Sequence, residues 1–254
     1  MNEERKQKEV EHYDKLAREW RKEHEKENEW KTDIENYDIN LFLSYQFLKK
    51  LVKENTKAGM KFLDYGCGHG MHTILPAKLS AEVYGIDLSE ESLKIAQERA
   101  EKEGVADKIK FLKMDAEKLE FPDNYFDVVF DGGTFSSIDI NKAYSEIGRV
   151  LKPGGKLIGI ETFGHNPLAN FKRWLNRITG KRTGWAASHI MKIKDLNSAR
   201  EYFAETKSYY FHFLSMFIFP FRRLPGGSLL FRILDRIDSL ILKILPRRPT
   251  LSPR

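Results

Sequence analysis

The chain has 254 residues, 41% hydrophobic and 31% charged, with a net charge of +6. That length fits one large α/β domain or two small ones, and the composition excludes a collagen, a disulfide scaffold and a wholly disordered chain. A single cysteine, Cys67, excludes an intramolecular disulfide and a multi-cysteine metal site, and points to a reducing compartment.

Residues 2–29 are dense in Glu, Lys and Arg, with Val10, Tyr13, Leu16, Ala17 and Trp20 at helical spacing, which predicts an amphipathic helix. No apolar core of a signal peptide lies there. A second helix is predicted over 38–54. Lys61–Tyr65 is a short apolar run that stops at a glycine cluster, as a buried parallel strand does. Then come a helix over 71–80, a strand over Glu82–Ile86, and a helix over Ser89–Glu103 capped by Ser89 and stopped by Gly104. Strands follow at Ile109–Met114 and Phe126–Phe130, then a helix over 139–151 and a strand over Lys156–Glu161. This alternation predicts βαβ units and a mainly parallel sheet with helices on both faces. Beyond 161 it stops. A basic region (165–200) leads to a strand-like run, Thr206–Phe213, an apolar patch to Phe221, and a Pro225-Gly226-Gly227 break. A final amphipathic helix is predicted over 228–245. The most apolar stretch, Tyr209–Phe221, falls well short of the roughly 20 residues that span a bilayer.

Charge is divided unevenly. Residues 165–254 carry 17 Lys/Arg against 5 Asp/Glu, a net +12, so the rest of the chain is at −6. A basic last third implies an anionic partner: nucleic acid, a membrane surface or an acidic substrate.

The strongest local motif is Asp64-Tyr65-Gly66-Cys67-Gly68-His69-Gly70, between a strand and a helix. Glycine there allows a sharp turn and close approach of backbone to a ligand. No Gly-Lys-Ser/Thr follows, and the glycine spacing differs from the dinucleotide fingerprint. Asp87, followed by Leu88, ends the second strand, where a carboxylate can accept both hydroxyls of a ribose. Asp115 ends the third, where with the Ala116 amide it can read an adenine amino group. Asp131, followed by Gly132 and Gly133, ends the fourth. All four acids fall at the carboxyl ends of parallel strands, where open α/β sheets bind ligands.

These segments, LDYGCGHG (63–70), VYGIDLS (83–89), FLKMDAEKLEFPDNYFDVVF (111–130) and RVLKPGGKLIGIE (149–161), resemble the class I S-adenosylmethionine-dependent methyltransferases. The likeness is strongest to their small-molecule and lipid branch, which includes quinone-biosynthesis enzymes. The resemblance implies a Rossmann-like sheet of seven strands ending in an antiparallel hairpin, although PRRPTLSPR after Leu245 is a poor last strand. It implies S-adenosyl-L-methionine as cofactor and S-adenosyl-L-homocysteine as product. Asp64 and the loop Gly66, Cys67, Gly68, His69, Gly70 would hold the methionine part. Asp87 and Leu88 would meet the ribose, and Asp115 and Ala116 the adenine. Asp131 and Gly132 would lie near the amino group or the substrate.

Methyl transfer from a sulfonium needs alignment and exclusion of water, and a base only where the acceptor must lose a proton. The base candidates are His165, Glu161, His189 and Tyr13, with His69 and His72 also near the sheet mouth. Tyr13 and Trp20 share the face of a helix that can close over the site. The residues after the fourth strand lack an Asn-Pro-Pro-aromatic motif and no Pro-Cys nucleophile exists, so a nucleic-acid partner is disfavoured. In 228–245 the apolar residues Leu229, Leu230, Ile233, Leu234, Ile237, Leu240, Ile241, Ile244 and Leu245 occupy one face, and Arg232, Asp235, Arg236, Ser239 and Lys243 the other. With Arg222, Arg223, Arg247 and Arg248, residues 209–248 fit a peripheral attachment to an anionic membrane. Packing on the domain or a homodimer interface is the alternative. The expectation is a methyltransferase for a lipid-like acceptor (a quinone, polar lipid or prenyl compound), cytoplasmic and peripheral on the inner membrane face, with no metal. A soluble small-molecule O- or N-methyltransferase and a non-catalytic cofactor- or RNA-binding module are the alternatives. The expected division is a helical lid (1–56), a cofactor-binding core (57–164) and a basic cap with amphipathic end (165–254).

Overall fold

The computed structural model describes residues 2–24, 43–164, 167–179, 183–218, 221 and 224–244. Its elements, in chain order, are α1 (Asn2–His24), α2 (Leu43–Asn55), β1 (Lys61–Tyr65), α3 (Ile74–Lys78), β2 (Glu82–Asp87), α4 (Glu90–Lys102), β3 (Ile109–Lys113), β4 (Phe126–Asp131), α5 (Ile140–Val150), β5 (Leu151–Gly159), α6 (Pro167–Ile178), α7 (Gly184–Ser188), α8 (Ile193–Ser198), α9 (Ser215–Ile218) and α10 (Gly227–Ile244). Short 3-10 turns at Ala106–Lys108, Phe135–Ser137 and Ala199–Glu201 join them. The strands lie in the order β3-β2-β1-β4-β5, every pair parallel. The order reverses between β1 and β4, so a cleft opens at their carboxyl ends.

Neighbouring residues along each central strand face opposite layers. Phe62, Val83 and Val128 pack with Leu48 and Val52 of α2, Ile74 and Ala77 of α3 and Ala100 of α4. Leu63, Tyr84 and Val129 pack with Ala143, Tyr144, Ile147 and Val150 of α5. Burial on both faces is why these strands read as continuous apolar runs. Two N-caps start helices where the sequence places them. Ser89 Oγ accepts from Ser92 N, and the Asp139 carboxylate accepts from Asn141 N and Lys142 N.

Several expectations are corrected. The helix after the glycine loop is shorter than 71–80. β5 starts at Leu151 with a register shift opposite Phe126–Val128, so the Lys152-Pro153-Gly154-Gly155 turn belongs to its bulge. The basic region folds into α6, α7 and α8. Thr206–Phe213 is no strand. Its aromatic side chains pack across α2 instead, with Phe47 4.7 Å from Tyr209, and its last amides turn to a carboxylate rather than to a ladder. Among the described residues the sheet has five strands and no antiparallel hairpin. The predicted start of α2 at residue 38 and the tail from Leu245 lie outside the described residues.

The largest departure is α10. Phe231, Asp235 and Asp238 are buried, whereas Leu229, Leu230, Ile233, Ile237 and Leu240 are exposed. The sequence places Asp235 on the solvated face with Arg232 and Arg236; the structure buries Asp235 with Phe231 and Asp238 and leaves both arginines exposed. The reason is local: Asp238 accepts from Phe213 N, Leu214 N, Ser215 N and Ser215 Oγ at 2.7–2.8 Å, and Asp235 accepts from Leu43 N at 2.9 Å. No helix among the described residues is long and apolar enough to cross a membrane.

Candidate functional site

The loop after β1 is shaped by two glycines that nothing else can replace. Gly66 has φ +71°, and a Cβ there would sit 2.2 Å from Thr134 Oγ1. Gly70, also at +71°, backs onto Ala96, whose Cβ would be 2.8 Å away. Gly68, at φ +50°, differs: a Cβ there would meet nothing within 4 Å. Thr134 Oγ1 donates to Tyr65 O at 3.0 Å, Cys67 N donates to Ile86 O at 2.8 Å, and Arg99 Nε donates to His69 O at 2.8 Å. The loop is therefore held from behind, from β2 and from α4.

The four acids surround this loop. Asp87 accepts from Gly68 N at 2.9 Å and from Ser89 N at 2.8 Å. Asp131 accepts from Thr134 N at 3.0 Å and Gly133 N at 3.3 Å. Asp115 accepts from Glu117 N at 2.8 Å, and the Tyr65 hydroxyl donates to Ala116 O. Asp64 has no such help. It is buried, and among the described residues neither carboxylate oxygen has a hydrogen-bond partner. Burial, then the nearby Asp87 charge, push its pKa up to about 8. Burial also raises Asp131, with the charges of Glu161 and Asp64 adding, and burial raises Asp87 against its backbone hydrogen bonds. Buried carboxylates whose ionised forms are disfavoured, at Asp64, Asp87 and Asp131 around the glycine loop, are groups that a cationic ligand would relieve. S-adenosylmethionine, with its ammonium and sulfonium, fits that donor set.

α1 crosses the mouth. Lys6 Nζ bonds the Asp115 carboxylate, Arg5 bonds Glu117 and Ser137 O, and Asp14 accepts from Ser89 Oγ at 2.6 Å. Tyr13 OH lies 3.1 Å from Ser137 Oγ, and the Trp20 ring lies 5.0 Å from that of His69. One face of the helix thus touches the loops after β1, β2, β3 and β4. Tyr13 reaches the loop after β4 but through Ser137, not through any of the four acids.

Glu161 follows β5, and its charge raises Asp131 and Tyr45 of α2, so these three lie together. His72 joins them. A Cβ on Gly132 would be 3.0 Å from its ring, and it lines a small pocket with Tyr45, Leu48 and Phe130. Burial and Arg99 lower its pKa to about 4, leaving it neutral. His189 is set apart. It is exposed at the end of α7, stacked on Trp185 at 3.6 Å. His165 lies outside the described residues. Lys6, Asp14, Tyr45 and Arg99 were not singled out from sequence. A Lys/Glu-rich helix reads as solvated, and nothing local marks its inward charges.

Residues 63–159 match the family described as a methyltransferase domain. A sterol 24-C-methyltransferase of Gibberella zeae is 46% identical over 101 residues, covering 39% of this chain and 27% of that protein. A ubiquinone/menaquinone biosynthesis C-methyltransferase of Shewanella baltica is 34% identical over 140 residues, covering 52% of this chain and 54% of that protein. A demethylmenaquinone methyltransferase of Staphylococcus aureus is 36% identical over 136 residues, covering 50% and 55%. The chain therefore spans about half the length of these relatives, or less. A geranyl diphosphate methyltransferase solved with S-adenosylmethionine shares the fold, with TM-score 0.57 at 15% identity over 76% of this chain and 79% of that one. So does the [4+2]-cyclase SpnF, with TM-score 0.54 at 24% identity over 75% and 66%. The fold alone thus does not select the reaction.

Proposed function

We propose that this chain, whose residues 63–159 are a class I S-adenosylmethionine-dependent methyltransferase domain, methylates a lipid-like acceptor at a membrane surface. One observation carries the reading: α10 buries its aspartates and leaves Leu229, Leu230, Ile233, Ile237 and Leu240 exposed. The sterol, quinone and prenyl substrates named for the relatives support an acceptor of that chemistry.

S-adenosylmethionine supplies an electrophilic methyl group on a sulfonium. The residues' tasks are binding, orientation and exclusion of water. Asp64, Asp131 and the Gly66–Gly70 backbone would hold the cationic methionine end. Asp87 and Leu88 take the ribose, and Asp115 and the Ala116 amide the adenine. Water exclusion falls to α1, which spans the four loops. Where the acceptor must lose a proton, Glu161 is the base, flanked by Asp131, Tyr45 and neutral His72. Residues 1–56 serve as lid, 57–164 as cofactor core and 165–254 as acceptor cap. Arg232 and Arg236 are exposed on α10, near enough in sequence to its apolar face to meet anionic head groups. Arg222, Arg223, Arg247 and Arg248, assigned the same task from sequence, lie outside the described residues.

The test is transfer of labelled methyl groups from S-adenosylmethionine into lipid and aqueous cell fractions. Label in the lipid fraction is expected. Label confined to the aqueous fraction would instead favour a soluble small-molecule O- or N-methyltransferase.

Lys6 stands where this reading puts the adenine amino group, so the two compete for Asp115. Lys6→Ala is expected to tighten S-adenosylmethionine binding by roughly threefold to tenfold, since a half-buried ion pair must otherwise be broken first. Calorimetry checks this. Weaker binding would mean that Lys6 closes the lid rather than competing.

A further inference from the structure

We propose that α6 is a second lipid-facing surface, separate from α10, which lays an apolar stripe on an anionic bilayer beside the mouth of the site. The inference rests on the membrane reading above and adds a contact that fixes how the molecule sits.

The stripe comes first. Phe171, Trp174, Leu175 and Ile178 are 58%, 55%, 40% and 63% exposed. Their spacing is i, i+3, i+4, i+7, which places them on one side of a helix. The rings of Phe171 and Trp174 stack at 5.8 Å on the surface itself. A short helix serving only its own domain turns such a stripe inward, because removing apolar side chains from water is favourable. Here the stripe faces out, and it includes a tryptophan, the side chain that suits a boundary between lipid and water.

Charge names the occupant. Residues 162–194 hold seven Lys/Arg and no Asp or Glu, and Arg177, Lys192 and Lys194 are exposed. An apolar stripe within an all-cationic segment matches anionic head groups above acyl chains. A second copy presenting the same stripe would bring the same cations against these, so self-pairing is disfavoured.

Placement gives the consequence. Gly164 N donates to Met191 O at 2.9 Å and Phe163 bridges Met191. The excursion that carries α6 and α7 therefore leaves and rejoins the body at one point, just beyond β5. On its return, α7 touches the lid: the Arg5 guanidinium lies 4.7 Å from the Trp185 ring, and Thr183 Oγ1 bonds Glu9. A bilayer against α6 is thus next to the edge where α1 meets the cleft. A hydrophobic acceptor could pass from lipid to site without crossing water.

The test uses the full chain and vesicles of phosphatidylcholine with or without phosphatidylglycerol. Wild type is expected to pellet with the anionic vesicles, and its tryptophan emission to be quenched by brominated lipid. Trp174→Phe should lose most of that quenching. Phe171→Glu/Trp174→Glu should bind at least fivefold more weakly, with thermal melting and S-adenosylmethionine binding unchanged. Leu229→Glu/Leu240→Glu on α10 serves as the comparison. If the α6 variant binds as wild type does while the α10 variant fails, the α6 inference falls and the membrane reading stands. If wild type itself does not bind, both fall. A dimer in sedimentation velocity that the α6 variant abolishes would overturn the inference in favour of self-association.

Discussion

Asp64→Asn is expected to stabilise the cofactor-free protein and to weaken S-adenosylmethionine binding by roughly 30- to 100-fold. The two effects have one cause. Both oxygens of Asp64 are buried without hydrogen-bond partners among the described residues, and the charge is further opposed by Asp87. An amide carries no charge to desolvate, so the substitution should gain about 1–3 kcal/mol, or several degrees in Tm. A cationic ligand reverses the balance, because the carboxylate is then the stronger partner. The pH dependence follows with a definite sign. The folded-state pKa is raised to about 8, so folded protein keeps a proton that the unfolded chain releases near pH 4. Stability therefore falls as pH rises from about 4 to 8, then levels off. Binding of the cation favours the ionised form, so affinity should climb by up to tenfold per pH unit below 8 and flatten above, with a proton released on binding. Asp131 and Asp87 are raised as well, so the variant should keep a shallower slope. Calorimetry in buffers of different ionisation enthalpy, with melting curves from pH 5 to 9, reads all of this. An unchanged affinity and pH profile in the variant would remove Asp64 from the cofactor site.

What could be read from sequence follows from which interactions are local. The sheet was legible because β1, β2 and β4 are buried on both faces, which leaves unbroken apolar runs. The glycine loop was legible because its positive-φ positions favour glycine, and the acids because each lies at or within two residues of a strand's carboxyl end. The contacts across the mouth were not legible. Lys6 and Asp14 meet Asp115 and Ser89 across about a hundred or fewer positions of chain, and on their own helix they look like any solvated charges. Tyr45 comes close to Glu161 only through the packing of α2 on the sheet. Thr206–Phe213 has the composition of a strand, but Phe47 takes its aromatic rings and Asp238 takes the amides of Phe213 and Leu214. In α10 periodicity did not find the side that meets the body, which runs through Phe231, Asp235 and Asp238 and leaves both the arginines and most of the apolar stripe outside. The deciding groups, the amides of 213–215, lie in another segment.

The buried aspartates of that helix yield the second large effect. Asp238→Ala is expected to destabilise the region around α10 by about 3–5 kcal/mol, because it strands four donors at once, the Ser215 amide and hydroxyl among them fully buried. The carboxylate is fully buried and accepts from the amides of Phe213, Leu214 and Ser215 and from Ser215 Oγ. An anion at that point also complements the free N–H groups that begin α9. Asp235 supports the same junction. It accepts from Leu43 N and has His212 Nδ1 2.8 Å from its Oδ1, while His212 Nε2 lies 2.6 Å from Ser44 Oγ. Loss of Asp238 should therefore loosen α9 and α10 and expose residues 227–244 to protease. S-adenosylmethionine affinity should stay within about twofold, because the glycine loop and the four acids are anchored by β1, β2, β4 and α4. Leu240→Ser, on the outward face of the same helix, should change stability in solution by less than about 0.5 kcal/mol. In an ordinary surface helix the order of the two costs is reversed. Equal protease resistance in Asp238→Ala and wild type would show that the aspartates do not hold α10 in this orientation. The outward leucines would then no longer count as a built surface.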